Sequence, residues 1–138
     1  MTETMIRVNY SETDQMGVVY HARYLVWMDV ARCEHVRQAG ISYGELEQRG
    51  FRLVVGELRI RYRRPARYDD QVRVRCWVRE ALPRRITFGY ALDLPQRNTL
   101  VATAETAMMV LGKDLSWSRL PPEVIELLPA EPDPVRLF

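Results

Sequence analysis

The chain has 138 residues, 47% of them hydrophobic, which is enough for the core of one domain and too little for two. A formal net charge of only +2, with no basic stripe interleaved with aromatic residues, argues against nucleic acid as a partner. No stretch approaches the roughly 18 consecutive apolar residues of a membrane span, and no apolar run follows Met1, so the expectation is a cytoplasmic protein with no membrane association.

Taken in chain order, Thr4 to Tyr10 alternates Ile6 and Val8 with polar neighbours and predicts a first strand. Gly17 breaks the pattern into a loop. From His21 to Ala39, the residues Tyr24, Trp27, Met28, Ala31, Val36 and Ala39 recur at helical spacing, and Gly40 supplies a C-terminal stop. The opening of this helix is apolar on most sides, as befits a helix wrapped by a sheet. Ser42 as N-cap with Glu45 three residues on predicts a short second helix to Arg49.

After Gly50 the period changes to two. Leu58, Ile60 and Tyr62 alternate with charged residues, and Pro65 with Asp69 and Asp70 marks a turn. Val72, Val74, Cys76 and Val78 alternate with Arg73, Arg75, Trp77 and Arg79. A connection at Pro83 leads to Ile86, Phe88, Tyr90 and Leu92, and a turn over 95–98 leads to a long strand from Thr99 to Leu111. Sequential antiparallel hairpins are the simplest topology for these strands. From about residue 113, Pro121 and Pro122 start a short helix, and a mobile Pro-containing tail is expected to follow. One helix for five strands in this order is an α+β pattern, a single domain over 1–138 in which a curled antiparallel sheet surrounds the helix.

Cys33 and Cys76 lack C-x-x-C spacing and read as buried thiols; with only two histidines, His21 and His35, a metal site is not indicated. Lys113 is the only lysine, and arginine is the residue suited to planar, bidentate phosphate contacts.

The chemistry concentrates in Tyr10 to Tyr24, Y-S-E-T-D-Q-M-G-V-V-Y-H-A-R-Y. Asp14 stands just before a glycine and a helix start, where free backbone N–H groups and the helix dipole can stabilise an oxyanion near a carboxylate. An aspartate before a helix also serves as an ordinary cap, but Asp14 lies about seven residues ahead of the helical period, too far for one.

The segment resembles the N-terminal motif of the 4-hydroxybenzoyl-CoA thioesterase family of hot-dog proteins, through Tyr10, Glu12, Asp14, Gly17, Val18, Val19, Tyr20 and Tyr24. Weaker matches are Arg64-Pro65-Ala66 followed by Tyr68-Asp69-Asp70, and Arg84-Arg85 before Thr87-Phe88. The resemblance implies a hot-dog acyl-CoA thioesterase without metal or organic cofactor, a homodimer or homotetramer with sites at subunit interfaces. It implies that Asp14 is nucleophile or general base, that the His21 N–H polarises the thioester carbonyl, and that Gly17, Val19, Tyr20 and Tyr24 face substrate. Arg84 and Arg85 would meet CoA phosphates. Periodicity by itself puts Val19, Tyr20, Trp27 and Met28 in the core and points Arg61, Arg63 and Arg64 to solvent. A related branch takes its acid from mid-helix, making Asp29 and Glu34 reserve candidates, although each has an ion-pair partner one turn away. A non-catalytic acyl-CoA-binding module is the second reading; a hydratase is the third, and would need a histidine better placed than His35. The acyl group, and CoA against acyl-carrier-protein thioesters, are not encoded in any motif.

Overall fold

The computed structural model describes residues 1–138 as a five-stranded antiparallel sheet curled around one long helix, the hot-dog arrangement. Strand β1 (Thr2–Arg7) is followed by a 3-10 turn at Tyr10–Glu12, then helices α1 (Arg23–Ala39) and α2 (Tyr43–Gln48). Strands β2 (Arg52–Tyr62), β3 (Gln71–Leu82), β4 (Arg85–Leu94) and β5 (Thr99–Leu111) complete the sheet, and a one-turn helix α3 (Pro122–Glu126) precedes the tail. The first strand thus starts and ends earlier than the sequence predicts, because the backbone folds into the 3-10 turn at Tyr10, and α1 starts two residues later than its apolar period. Gly40 ends α1 in the left-handed conformation at φ +113°, and Ser42 and Glu45 form the expected capping box of α2.

The strand order is β1-β3-β4-β5-β2, so the expected hairpin between β2 and β3 does not form. Instead β2 pairs antiparallel with β5 at the far edge, with Tyr62 opposite Ala102 and Leu53 opposite Val110. The eight residues 63–70 carry the chain across three inter-strand spacings, roughly 14 Å, well within the reach of a segment that long. The hairpins β3–β4 and β4–β5 form as expected.

On the concave face, Val72, Val74, Cys76 and Val78 of β3 and Ile86, Phe88, Tyr90 and Leu92 of β4 are fully buried against Tyr24, Trp27, Met28, Ala31 and Val36 of α1. The wrapping is one-sided: α1 packs on β1 and β3, leaving Val26 and Val30 exposed and Cys33 half-buried rather than buried. β2 likewise departs from its pattern, since Val54, Val55, Leu58 and Tyr62 are exposed along an edge strand with no second neighbour.

The convex face holds the other correction. Trp77, in a strand position shared with arginines, is completely buried because the C-terminal tail, expected to be mobile, lies across it with Leu137. The tail is held by named contacts. Glu131 N–H donates to Val78 O, and Asp133 accepts from Trp77 Nε1 and Arg79 Nε, each at 2.9 Å. Leu137 O accepts from Arg63 Nη2 at 2.9 Å and from the Thr103 hydroxyl at 2.5 Å.

Gly89 lies opposite Trp77 in the β3–β4 register, and a Cβ there would come within 2.5 Å of the indole ring. The glycine is what lets the indole lie against β4 under the tail. Gly89→Ala is expected to lower stability by about 1–3 kcal/mol through overpacking. Urea denaturation monitored by circular dichroism measures it, and an unchanged midpoint would contradict this packing role.

Candidate active site

The loop between β1 and α1 is built by its own backbone. Asp14 N–H donates to Val18 O at 2.9 Å, Gly17 N–H returns to Asp14 O at 3.0 Å, and Thr13 and Val19 form an isolated antiparallel bridge. Gly17 sits at φ +76°, a left-handed conformation that disfavours other residues. Within this turn the Asp14 carboxylate is half-buried, and its Oδ1 accepts from Met16 N–H at 2.9 Å. That is an Asx turn, so the turn reading of Asp14 holds for one oxygen. Its Oδ2 accepts no hydrogen bond from the protein and stays available for chemistry.

Glu12 fixes the loop to the helix. Its carboxylate accepts from Asn9 N–H at 2.8 Å and from Trp27 Nε1 at 2.7 Å, while its carbonyl accepts from Tyr20 N–H at 2.8 Å. The motif's first acid therefore ties the loop to Trp27, a core residue of α1.

The far wall comes from the chain after β2. Val19 N–H donates to Ala66 O at 2.8 Å, Ala66 N–H donates to the Tyr24 hydroxyl at 3.2 Å, and the Tyr62 hydroxyl donates to His21 O at 2.7 Å. Burial pushes the phenols of Tyr24 and Tyr62 up from their ordinary pKa, so both remain neutral hydroxyls. Together these elements enclose an open cleft of about 250 Å³ bordered by Val18, Val19, His21, Tyr24, Tyr62 and Pro65. Asp14 stands next to it through its bond to Val18.

His21 N–H and Ala22 N–H, just ahead of α1, donate to no protein acceptor. Both belong to the positive end of the helix dipole, and His21 borders the cleft. A carbonyl oxygen held there would meet donors already oriented, beside a carboxylate. The His21 imidazole itself stacks near Tyr20, with ring centroids 4.4 Å apart, and has no hydrogen-bond partner.

The sequence-predicted residues are only partly gathered. Val19, His21 and Tyr24 border the cleft, and Asp14 and Gly17 lie in the turn that carries Val18 to it. Tyr20 is not core, being 47% exposed beside His21. Arg84 and Arg85 are at the other end of the sheet: Arg85 lies opposite Met109, whereas Tyr62 lies opposite Ala102, a separation along β5 of roughly 24 Å. Within one chain the hairpin cannot serve this cleft. Arg85 is moreover paired with Glu80 at 2.9 Å. The mid-helix acids are occupied as their spacing suggested, Asp29 by Arg32 at 2.5 Å and Glu34 by Arg37 and Gln38, and neither borders the cleft. His35 is buried against Thr2 and Phe88, with burial lowering its pKa, and is also remote from the cleft. No three His, Cys, Asp or Glu side chains converge to hold a metal ion, and no helix is long and apolar enough to cross a membrane.

Tyr62, Arg63, Arg64 and Pro65 border the cleft without having been chosen from the sequence as functional residues. Their signal was the Arg-Pro-Ala match, which marks the segment carrying Ala66 to the loop.

The model of the thioesterase-like superfamily matches residues 8–128. Among similar proteins, the acyl-CoA thioesterase YbgC of Haemophilus influenzae is 39% identical over 112 residues, 78% of this chain and 80% of that protein. The putative acyl-CoA thioesterase YneP of Bacillus subtilis is 38% identical over 90 residues, and the aligned stretch spans 65% of each chain. Of solved structures, a hypothetical protein of Thermus thermophilus, TT1821, superposes with a TM-score of 0.87 at 34% identity, covering 93% of this chain and 97% of that one. A DHNA-CoA thioesterase of Staphylococcus aureus gives 0.83 at 28% identity, covering 91% and 87%. With a family model that matches most of its length and named thioesterases among its relatives, the chain belongs to the thioesterase-like superfamily of hot-dog thioester hydrolases.

Proposed function

We propose that the protein hydrolyses an acyl-CoA thioester to a carboxylic acid and CoA at the cleft between Asp14 and His21. The observation that carries the reading is the pair of unused donors, His21 N–H and Ala22 N–H, beside a carboxylate with one free oxygen. The thioester carbonyl oxygen accepts from these N–H groups, which offset the negative charge that develops on it as the carbonyl carbon becomes tetrahedral. Asp14 then acts in one of two ways. As nucleophile, its Oδ2 bonds to the carbonyl carbon, the C–S bond breaks, CoA leaves as thiolate, and water cleaves the resulting mixed anhydride. As general base, it takes a proton from the water that attacks directly, and the same C–S bond breaks. Both routes need Asp14 ionised, and neither needs a metal or an organic cofactor.

The cleft is open, and the edge strand beside it is unpaired and apolar. Antiparallel pairing of β2 with β2 of a second copy satisfies the free edge groups and covers Val54, Val55 and Leu58. In such a homodimer, or a dimer of dimers, the Tyr62 end of one β2 meets the Arg52 end of the other, so the partner closes the cleft. The expected outcome in light scattering is a dimer or tetramer; a stable monomer at micromolar concentration that still hydrolyses acyl-CoA contradicts a shared site. The free thiols Cys33 and Cys76 support a cytoplasmic location in this reading.

The test is thiol release across a panel of acyl-CoA substrates, with acyl-carrier-protein thioesters alongside, for wild type and Asp14→Asn. Asparagine keeps the Asx turn, so the variant is expected to fold and bind, with kcat lower by at least about a hundredfold. A variant with near-wild-type turnover overturns the role of Asp14. A wild type that binds acyl-CoA yet releases no thiol makes the protein a binding module instead.

A further inference from the structure

The arginines of this chain fall into two groups. Ten of the nineteen are ion-paired with carboxylates, among them Arg73 and Arg75 with Asp93, Arg79 with Glu105 and Asp133, and Arg97 with Asp70. Arg59, Arg61, Arg63 and Arg64 have no carboxylate partner, and they follow one another along the last turns of a single strand and its exit. Arg59 stacks on the Phe138 ring at 3.9 Å, and Arg63 donates to the Thr103 hydroxyl and to the tail carbonyls of Arg136 and Leu137, none of which carries a neutralising charge. The Arg61 guanidinium makes no hydrogen bond to the protein, and that of Arg64 only reaches the Arg63 carbonyl. Residues two apart on a strand stand roughly 7 Å apart on the same face, so this is a concentration of uncompensated positive charge.

The cluster adjoins the cleft. Arg63 and Arg64 border it, and they also border an open depression of about 610 Å³ that continues past Arg61 to Asn98 and Thr99. Measured along β5 from Thr103, the partner of Arg61, to Thr99, this depression runs roughly 14 Å. The two surfaces differ in character: the cleft beside His21 is walled by valines, tyrosines and a proline, and the depression by guanidinium groups. A ligand with a reactive thioester at one end and phosphates at the other matches that order. By contrast, the depression around Arg85 is lined by Glu57, Glu80, Glu105, Glu131 and Asp133, which repel a phosphate.

We infer that Arg61, Arg63 and Arg64 form an anion site that holds the phosphorylated nucleotide end of CoA while its thioester lies at His21. The inference rests on the acyl-CoA reading above and assigns the recognition of the nucleotide to the exit of β2, with the Arg84-Arg85 hairpin of a second copy, which lies at the Arg52 end of the sheet, as the rival. Guanidinium groups supply the bidentate, charge-assisted contacts that phosphate takes best. Arg63 also holds the tail, so the exposed pair Arg61 and Arg64 is the one to change.

The test compares wild type, R61A/R64A and R84A/R85A; the last removes the same charge from the rival hairpin. Each is assayed on the acyl-CoA that wild type cleaves fastest and on the pantetheine thioester of the same acyl group, and CoA binding is measured separately by calorimetry. R61A/R64A is expected to raise KM for acyl-CoA about tenfold with kcat unchanged, the signature of lost uniform binding. Its KM for the pantetheine thioester stays within about twofold of wild type, the CoA Kd rises in parallel with the acyl-CoA KM, and R84A/R85A resembles wild type on every measure. An equal rise on both substrates, an equal or larger effect of R84A/R85A, or unchanged CoA binding by R61A/R64A overturns the site. If wild type cleaves no thioester, a loss of CoA binding in R61A/R64A still upholds the anion site, while the hydrolase reading falls by itself.

Discussion

Two hydrogen bonds tie the loop ahead of α1 to the segment after β2: Val19 N–H to Ala66 O, and Ala66 N–H to the Tyr24 hydroxyl. Buried backbone groups must be satisfied, and here the satisfaction joins segments more than forty residues apart in sequence. Once Val19 is pinned, the turn from Asp14 to Val18 has one geometry, with Gly17 left-handed and Met16 N–H on the carboxylate. The chain then enters α1 with His21 bordering the cleft and the N–H groups of His21 and Ala22 unused. The site's electrostatics therefore follow from an accounting of backbone donors: Thr13, Asp14, Met16, Gly17, Val19 and Tyr20 have acceptors, and His21 and Ala22 do not.

The same segments explain the strand order. β2 must end where Ala66 can reach Val19, and its Tyr62 must reach His21 O, which fixes the exit of β2 beside the start of α1. Because α1 leans on β1 and β3, the strand that delivers this wall stands at the opposite edge, next to β5. The edge position leaves β2 both apolar and unpaired. One constraint thus yields the cleft, the free edge that invites a second copy, and the run of arginines at the strand's exit.

Much of this could be read in the amino-acid sequence, and the parts that could not share a cause. The long helix, the α2 capping box and the span of β5 are local signals, carried by spacing and by Gly40, Ser42 and Glu45, and the structure repeats them closely. The motif from Tyr10 to Tyr24 marked the loop beside the cleft because its residues are contiguous. The pairing of β2 with β5 was hidden because Pro65, Asp69 and Asp70 are turn residues whether the chain reverses or crosses the sheet. Trp77 looked solvent-facing because its neighbours Arg75 and Arg79 share its face, and only the tail, more than fifty residues later, shows what buries it. Tyr62, Arg63 and Arg64 were missed for a similar reason: alternation along an edge strand says which face a residue takes, but not that the strand's end meets a loop from the other side of the molecule. Which arginines lack carboxylates is likewise a property of the folded chain alone.

The most direct measurement is a crystal structure of the Asp14→Asn variant soaked with an acyl-CoA that wild type cleaves. The account predicts the thioester carbonyl oxygen at hydrogen-bond distance, about 3 Å, from His21 N–H, with the residue 14 side chain against the carbonyl carbon. The phosphates should lie among Arg61, Arg63 and Arg64. A thioester bound away from the start of α1, or a residue 14 side chain that makes no contact with it, would contradict the account at its centre.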